Sequence, residues 1–283
     1  MTIDLHAHSA ASDGTHAPAE VVARAAAAGV EVLALTDHDT VAGWDEASAA
    51  LPPGLSLVPG MELSCQHDGR SLHLLGYLFD PAEAELSAEL DRIRAARADR
   101  AEASVVRLRQ LGADVTMDLV RGFAGDGEIG RPHLADALIA VGAVADRAVA
   151  FSDRWLAQGG RAHVTRYAAD PVRAVRLING AGGAAVLAHP RALGRRGYSF
   201  DDDLIEELAA AGLAGIEADH PDHAGPDRVR LRALAAALGL AVTGSSDDHG
   251  DRTGNRLGCE STTEADLRKL LDQTGGSMRT AER

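Results

Sequence analysis

Short apolar runs alternate with stretches of helical period over the first hundred residues and again over the last hundred. I-D-L-H-A-H predicts a strand at 3–8. A helix follows over about 18–28, with Pro18 near its first turn and Gly29 after its end. V-E-V-L-A-L-T-D-H (30–38) reads as a buried strand ending in polar residues, and 43–50 reads as helix. L-S-L-V-P-G-M-E-L (55–63) and S-L-H-L-L-G-Y-L (71–78) read as strands, with His67-Asp68-Gly69 as the turn between them. From Pro81 the pattern changes. Residues 81–111 predict a long helix broken near Gly112, and 112–170 predict short helical pieces without a clear strand. Alternation then resumes with helix at 171–179, strand at 184–190, helix at 202–211, strand at 215–220, helix at 227–238, strand at 241–249 and a C-terminal helix at 264–273. A polar tail follows Gly275, and the chain shows no internal repeat.

Alternating strand and helix implies a mostly parallel sheet covered by helices, an α/β architecture whose functional residues gather at the carboxyl ends of the strands. The helical stretch at 99–171 reads as an inserted subdomain between two parts of one α/β domain, 1–98 and 172–283.

Composition narrows the function classes. Apolar residues make up 46% of the 283 and aromatics only 3%, so the core is expected to be Ala, Leu and Val packed between helices and sheet. A formal charge of −14 disfavours an electrostatic grip on duplex DNA, but it leaves room for a small phosphorylated ligand in a locally positive pocket. No apolar run approaches the ~20 residues that span a bilayer. No basic segment followed by an apolar one marks a secretory signal. Two cysteines, Cys65 and Cys259, suit a reducing compartment. A cytoplasmic protein is expected.

The chemistry lies in the polar residues at the strand ends. His6 and His8, two apart on a strand, point to one face, and the following loop carries Asp13. His38, Glu62, His73, His189, Asp247 and His249 stand at or near later strand exits. Nine imidazoles and carboxylates, with no cysteine among them, suit Mn, Fe or Zn rather than a thiolate-rich structural zinc. They are too many for one ion and about right for two or three divalent ions, with Glu62 placed to bridge. Closely spaced ions lower the pKa of a bridging water and bind the oxygens of a scissile group, which suits hydroxide attack on phosphorus.

The motifs D-L-H-A-H-S-x-x-S-D-G (4–14), T-D-H-D-T (36–40), P-G-x-E (59–62), H-L-L-G-Y (73–77), G-R-P-H (130–133), A-H-P (188–190) and S-D-x-H-G (246–250) together resemble the PHP (polymerase and histidinol phosphatase) superfamily, most of all its TrpH/YciV-type metal-dependent phosphoesterases. The resemblance covers nearly the whole chain in the family's order. It implies a distorted (β/α)7 barrel with the inserted helical subdomain and a di- or trinuclear centre, with Mn the favoured metal and Fe or Zn the alternatives. One ion would take His6, His8, Glu62 and Asp247, a second Glu62, His73 and His189, and a third Asp13, His38 and His249. Family members usually carry an aromatic between the last Asp and His; here it is Asp248, expected to be solvated.

Beyond the metal ligands, Arg131 and His133 are the expected phosphate donors, Arg131 through its bidentate fork. His223, or failing that His220, is expected to contact phosphate or to protonate the leaving alcohol. Catalysis is placed on Asp13, His38, Asp247 and His223. Arg191, Arg195 and Arg196 offer either a further anionic subsite or a solvated patch. The resemblance implies removal of the 3′-phosphate from nucleoside 3′,5′-bisphosphates, 5′→3′ trimming of short RNA, or both. The alternatives are a cyclic phosphate phosphodiesterase and an amidohydrolase-type C–N hydrolase. A decayed, non-catalytic metal module is disfavoured because every assigned ligand position holds a competent residue.

Overall fold

The computed structural model describes residues 1–192 and 199–281. Among these, seven strands follow one another around a single sheet: β1 (Ile3–Ala7), β2 (Val32–Leu35), β3 (Ser56–His67), β4 (Arg70–Tyr77), β5 (Ala184–Leu187), β6 (Gly215–Asp219) and β7 (Ala241–Gly244). The neighbours β1-β2-β3 are parallel, and so are β5-β6-β7. The two ends of the sheet approach each other where Ala7 bridges Asp248 and the His8 N–H donates to Asp248 O at 2.9 Å, giving a nearly closed barrel.

β4 departs from the parallel pattern, being antiparallel to both β3 and β5. The cause is the turn at Asp68 and Gly69, with φ of +48° and +73°. Two consecutive positive φ values make the two-residue turn of a tight hairpin. His73, near the start of β4 and opposite Ser64, therefore reaches the same rim as the carboxyl ends of the parallel strands. A two-residue strand, β8 (Arg279–Thr280), pairs with β3 inside the expected polar tail.

The barrel interior is apolar at the end formed by the N-termini of the parallel strands and the C-terminus of β4. Ile3, Leu5, Val32, Ala34, Val58, Leu75, Tyr77 and Val186 pack together there, and the Tyr77 hydroxyl donates across the barrel to Leu5 O at 2.7 Å. Leu267 and Leu270 of the C-terminal helix join this cluster and plug that end. The outer faces of the strands are covered by α1 (Pro18–Ala27), α2 (Trp44–Ala49), α7 (Pro171–Gly180), α8 (Asp202–Ala210) and α9 (Gly225–Leu238), and the plugging helix is α10 (Glu264–Leu271).

Between β4 and α7 the chain forms α3 (Ala84–Gln110), α4 (Met117–Ala124), α5 (Arg131–Ala140) and α6 (Arg147–Ala150). Leu86, Leu90 and Ile93 of α3 pack into the core with β3, β4 and α7. Val105 and Leu108, further along the same helix, join a separate apolar cluster with Leu134, Leu138 and Trp155. No helix among the described residues is long and apolar enough to cross a membrane.

Candidate metal centre

Several strands end before their expected polar termini. β2 stops at Leu35, β5 at Leu187 and β7 at Gly244. The residues that follow leave the ladder and aim into the barrel mouth. Three of them hold left-handed backbone: Asp39 at φ +57°, His189 at +29° and Asp247 at +49°. Such conformations in non-glycine residues cost on the order of 1–3 kcal/mol each and persist where surrounding bonds enforce them.

Glu62 is the hub. Its Oε1 lies 2.6 Å from His73 Nδ1 and 2.9 Å from His189 Nε2. Its Oε2 lies 3.1 Å from His38 Nδ1, 3.2 Å from His8 Nε2 and 3.3 Å from His6 Nε2. Asp247 Oδ1 stands 3.4 Å from both His6 Nε2 and His8 Nε2 and 3.5 Å from His249 Nδ1. Asp13 Oδ1 stands 3.4 Å from His249 Nε2, 3.9 Å from His38 Nε2 and 4.0 Å from His8 Nδ1. All nine residues singled out in the sequence thus converge on one place.

Their donors fall into overlapping sets whose members lie within 4.8 Å of one another: His6, His8, Glu62 and Asp247; His8, Asp13, His38 and His249; His38, Glu62 and His73; and His6, His189 and Glu217. Donors about 2.1 Å from a shared ion are about 3.0–3.4 Å apart in octahedral or tetrahedral coordination, close to many of the separations seen here. His8 Nδ1, Asp13 Oδ1 and His38 Nδ1 are buried and make no hydrogen bond. Donor type, spacing and these unsatisfied atoms all fit a cluster of divalent cations.

The charges are strongly coupled. Burial pulls His8 down, but Asp247 and Glu62 outweigh it and lift the ring from 6.5 to about 10. His38 goes the other way, to about 3, because burial dominates and His8 and His73 repel its proton, although Glu62 and Asp13 favour it. Burial opposes ionisation of Asp13 and Glu62, yet the surrounding imidazoles hold both carboxyls well below the usual range.

A second layer fixes the ligands, and most of it escaped the sequence reading. Glu217, fully buried, takes His6 Nδ1–H at 3.0 Å and the His189 backbone N–H at 2.7 Å. Asp37 accepts from Ser9 N (2.8 Å), Ser9 Oγ (2.7 Å) and Ser12 Oγ (2.6 Å), which shapes the loop that delivers Asp13. Asp39 accepts from Ser64 N (2.7 Å), Ser64 Oγ (2.8 Å) and Arg97, tying the loop after β2 to β3 beside Glu62. The acids flanking His38 in T-D-H-D-T are therefore its scaffold.

Asp248 is buried, not solvated. Its carboxylate accepts from Gly250 N (2.9 Å), Arg256 N (2.9 Å) and Thr253 Oγ1 (2.8 Å), which folds the loop bearing His249. The burial follows from the chain turning sharply after Asp247, so that the next side chain points back under the loop.

The expected phosphate contacts divide. Arg131 lines a cavity of about 700 Å³ that extends from Asp13, His38, Glu62, His73, His189, Asp247 and His249 to the starts of α5 and α6. His133 is buried below it. Its Nδ1 accepts the Gly130 N–H at 3.0 Å, closing the first turn of α5, and burial foremost lowers its pKa to about 4. His223 is not on the cavity wall: Nδ1–H donates to Ala218 O at 2.9 Å and Nε2 accepts the Arg191 N–H at 3.1 Å, so neither nitrogen is left for a leaving group. His220 is also buried. Its Nδ1 accepts the Asp222 N–H at 3.0 Å, which leaves Nε2–H to donate to Asp247 Oδ2, the two heavy atoms 3.3 Å apart; it braces Asp247 and does not line the cavity. Arg191 pairs with Asp202 at 2.6 Å. Arg195 and Arg196 lie outside the described residues.

A barrel rim carrying a buried His/Asp/Glu cluster beneath a polar cavity defines a metal-dependent hydrolase. The sequence profile of the PHP domain matches residues 4–138. The chain is 38% identical over 247 residues to a 5′-3′ exoribonuclease of Haemophilus influenzae, covering 87% of this chain and 89% of that one. It is 38% identical over 258 residues to a 3′,5′-nucleoside bisphosphate phosphatase of Chromobacterium violaceum, covering 90% and 89%. Its fold superposes with a TM-score of 0.89 on a protein of Bifidobacterium adolescentis assigned as a metal-dependent phosphoesterase, at 34% identity and 96% coverage of both chains. The chain belongs to the PHP family of metal-dependent phosphoesterases.

Proposed function

We propose that this protein hydrolyses phosphate esters of nucleotides, removing the 3′-phosphate of nucleoside 3′,5′-bisphosphates, trimming short RNA from its 5′ end, or both, in the cytoplasm. The observation that carries this reading is a Glu62-centred ligand cluster forming the floor of a cavity whose wall holds Arg131. The cavity volume lies in the range of small-molecule sites, and the relatives named above act on a nucleoside bisphosphate and on RNA.

When bound, two or three divalent cations, Mn foremost, supply Lewis acidity toward the phosphoryl oxygens and the attacking water. Their holders are His6, His8, Asp13, His38, Glu62, His73, His189, Asp247 and His249. Arg131 donates to the non-bridging oxygens of the reacting phosphate. Asp13, ionised and buried, would turn Oδ1 to a cation beside His8, His38 and His249 and keep its negative charge next to the attacking water. His38, neutral, and Asp247, steered by His220, keep that water in line. His223 and His133 act from behind, as backbone anchors.

The test is an assay of the Mn-loaded protein on adenosine 3′,5′-bisphosphate, short 5′-phosphorylated RNA and cyclic phosphates. Release of phosphate or nucleotide, lost in His38→Ala and Asp247→Asn, is expected. Absence of turnover on every phosphoester, or hydrolysis of amides insensitive to inorganic phosphate and to Arg131→Gln, overturns the reading in favour of a C–N hydrolase.

A further inference from the structure

Asp13 and His249 reach the ligand cluster from two loops. Asp13 lies in the loop after β1, and His249 directly precedes the short helical turn Gly250–Arg252. Asp13 Oδ1 and His249 Nε2 are 3.4 Å apart, and with His8 and His38 they make up one of the ligand sets. A proton on His249 Nδ1 donates to Asp247 O at 3.0 Å, which leaves Nε2 its lone pair for a cation.

The two loops are tied to each other twice. Thr15 Oγ1 accepts the Asp251 N–H at 2.9 Å. Gly250 permits that approach: its φ is +67°, and a Cβ there would stand 2.2 Å from Thr15 Oγ1. Arg252 makes the second tie. Its Nη1 donates to the Asp13 carbonyl, and its Nη2 donates to Asp136 Oδ2 at 2.7 Å. Asp136, on α5, also accepts from Arg147 of α6. The side chains of Arg252 and Asp136 are only 11% and 15% exposed, so their pair escapes most of the solvent screening that makes surface ion pairs weak.

One guanidinium thus spans three segments: the turn after His249, the backbone at Asp13, and α5. A planar fork with N–H groups on two terminal nitrogens makes both bonds at once, and a single ammonium does so poorly. The ligands around Glu62 have a different support. Glu217, on β6, fixes His6 and His189 from within the barrel.

We propose that Arg252 is the positioning residue for one cation of the cluster, the one between His8, Asp13, His38 and His249, and that Asp136 makes occupancy of that position depend on α5. The cations held by the Glu62-centred ligands load independently of this bridge. This assignment rests on the metal-centre reading of the cluster and is indifferent to which phosphoester is hydrolysed.

The experiment compares wild type with Arg252→Gln, Arg252→Lys, Asp136→Asn and Arg147→Gln. Mn per chain is counted by elemental analysis, and Mn affinity is measured by titrating the metal-free protein, whose far-ultraviolet dichroism verifies folding of each variant. Arg252→Gln and Asp136→Asn are expected to lose about one ion per chain through an affinity weakened about 10–100-fold at one position, the scale of a lost outer-shell partner, while the other ions bind as in wild type. Arg252→Lys retains part of the affinity. Arg147→Gln, which breaks the other bond of Asp136 and leaves Arg252 in place, keeps the wild-type content. In turnover of adenosine 3′,5′-bisphosphate, kcat of Arg252→Gln and Asp136→Asn falls and is restored by excess Mn, and KM is little changed. Unchanged Mn content and affinity, equal weakening of every ion, or the same loss in Arg147→Gln each overturn the assignment. So does a raised KM at unchanged Mn content, which gives Arg252 to the substrate instead. Wild type that binds no divalent cation overturns the metal-centre reading and the assignment with it. Absence of phosphoester turnover with an Arg252-dependent ion count overturns the phosphoesterase reading alone.

Discussion

His6 Nδ1 lies 3.0 Å from Glu217 Oε1, while the opposite nitrogen of the same ring, Nε2, faces Glu62 and Asp247 at 3.3 and 3.4 Å. The carboxylate fixes the Nδ1–H tautomer and leaves Nε2 with a free lone pair for a cation, the outer-shell arrangement that holds metal-ligating histidines. Glu217→Gln removes the charge and turns one acceptor into a donor beside His6 or the His189 N–H. Metal affinity is expected to fall by about 10–100-fold, read by metal titration, while the far-ultraviolet dichroism stays native.

Glu62 touches five imidazoles, so its loss is not a local event. Glu62→Ala leaves His6, His8, His38, His73 and His189 facing one another without the anion that separates them. Elemental analysis is expected to show reduced metal content, and hydrolysis is expected to disappear. Wild-type metal content with retained turnover contradicts a bridging role.

His133 gives a pH signature of definite sign. Its pKa is about 4 in the folded chain against 6.5 when free, so between those values the unfolded state binds the extra proton and the folded state does not. Its contribution is complete above about pH 6.5 and is lost as pH falls toward 4. His133→Gln keeps an acceptor for the Gly130 N–H, as Gln does at this position of a helix start, and removes the titration. The variant is expected to match wild type in melting temperature at neutral pH and to exceed it increasingly on acidification. A constant difference across the range refutes this.

The buried Asp39–Arg97 pair joins three segments. Arg97→Met strips the counter-charge from a carboxylate that burial penalises and that Arg97 above all keeps ionised. The expected cost is about 3–5 kcal/mol of stability, measured by denaturant unfolding. Asp39→Asn with Arg97→Met is expected to recover part of that loss, since both charges are then gone.

What the sequence made legible was which imidazoles and carboxylates meet at the barrel mouth, because period-two spacing on β1 and polar residues at apolar strand ends carry direct geometric meaning. His6, His8, His38, Glu62, His189 and Asp247 stand out on that basis. The supporting layer was less visible. Glu217 sits inside a strand like any half-buried acid, and its partner His6 is 211 residues away. Asp37 and Asp39 flank a histidine and read as part of its motif, but their partners are serines on other segments. His220 and His223 misled for the converse reason: a histidine after a strand looks like a site residue, and backbone N–H and C=O groups that consume both ring nitrogens leave no mark in composition or spacing. The antiparallel course of β4 was within reach, since Asp68-Gly69 is a hairpin dipeptide, but whether the hairpin interrupts a parallel barrel depends on where β5 docks.

Helix α3 spans roughly 40 Å at 1.5 Å per residue over its 27 residues. One half is rooted among the strands and the other in the apolar cluster it shares with α4 and α5. It therefore works as a rigid strut. The segment carrying Arg131 cannot swing like a flap hinged at this joint without bending a continuous helix, so the wall it gives the cavity is held at a fixed height above the strands.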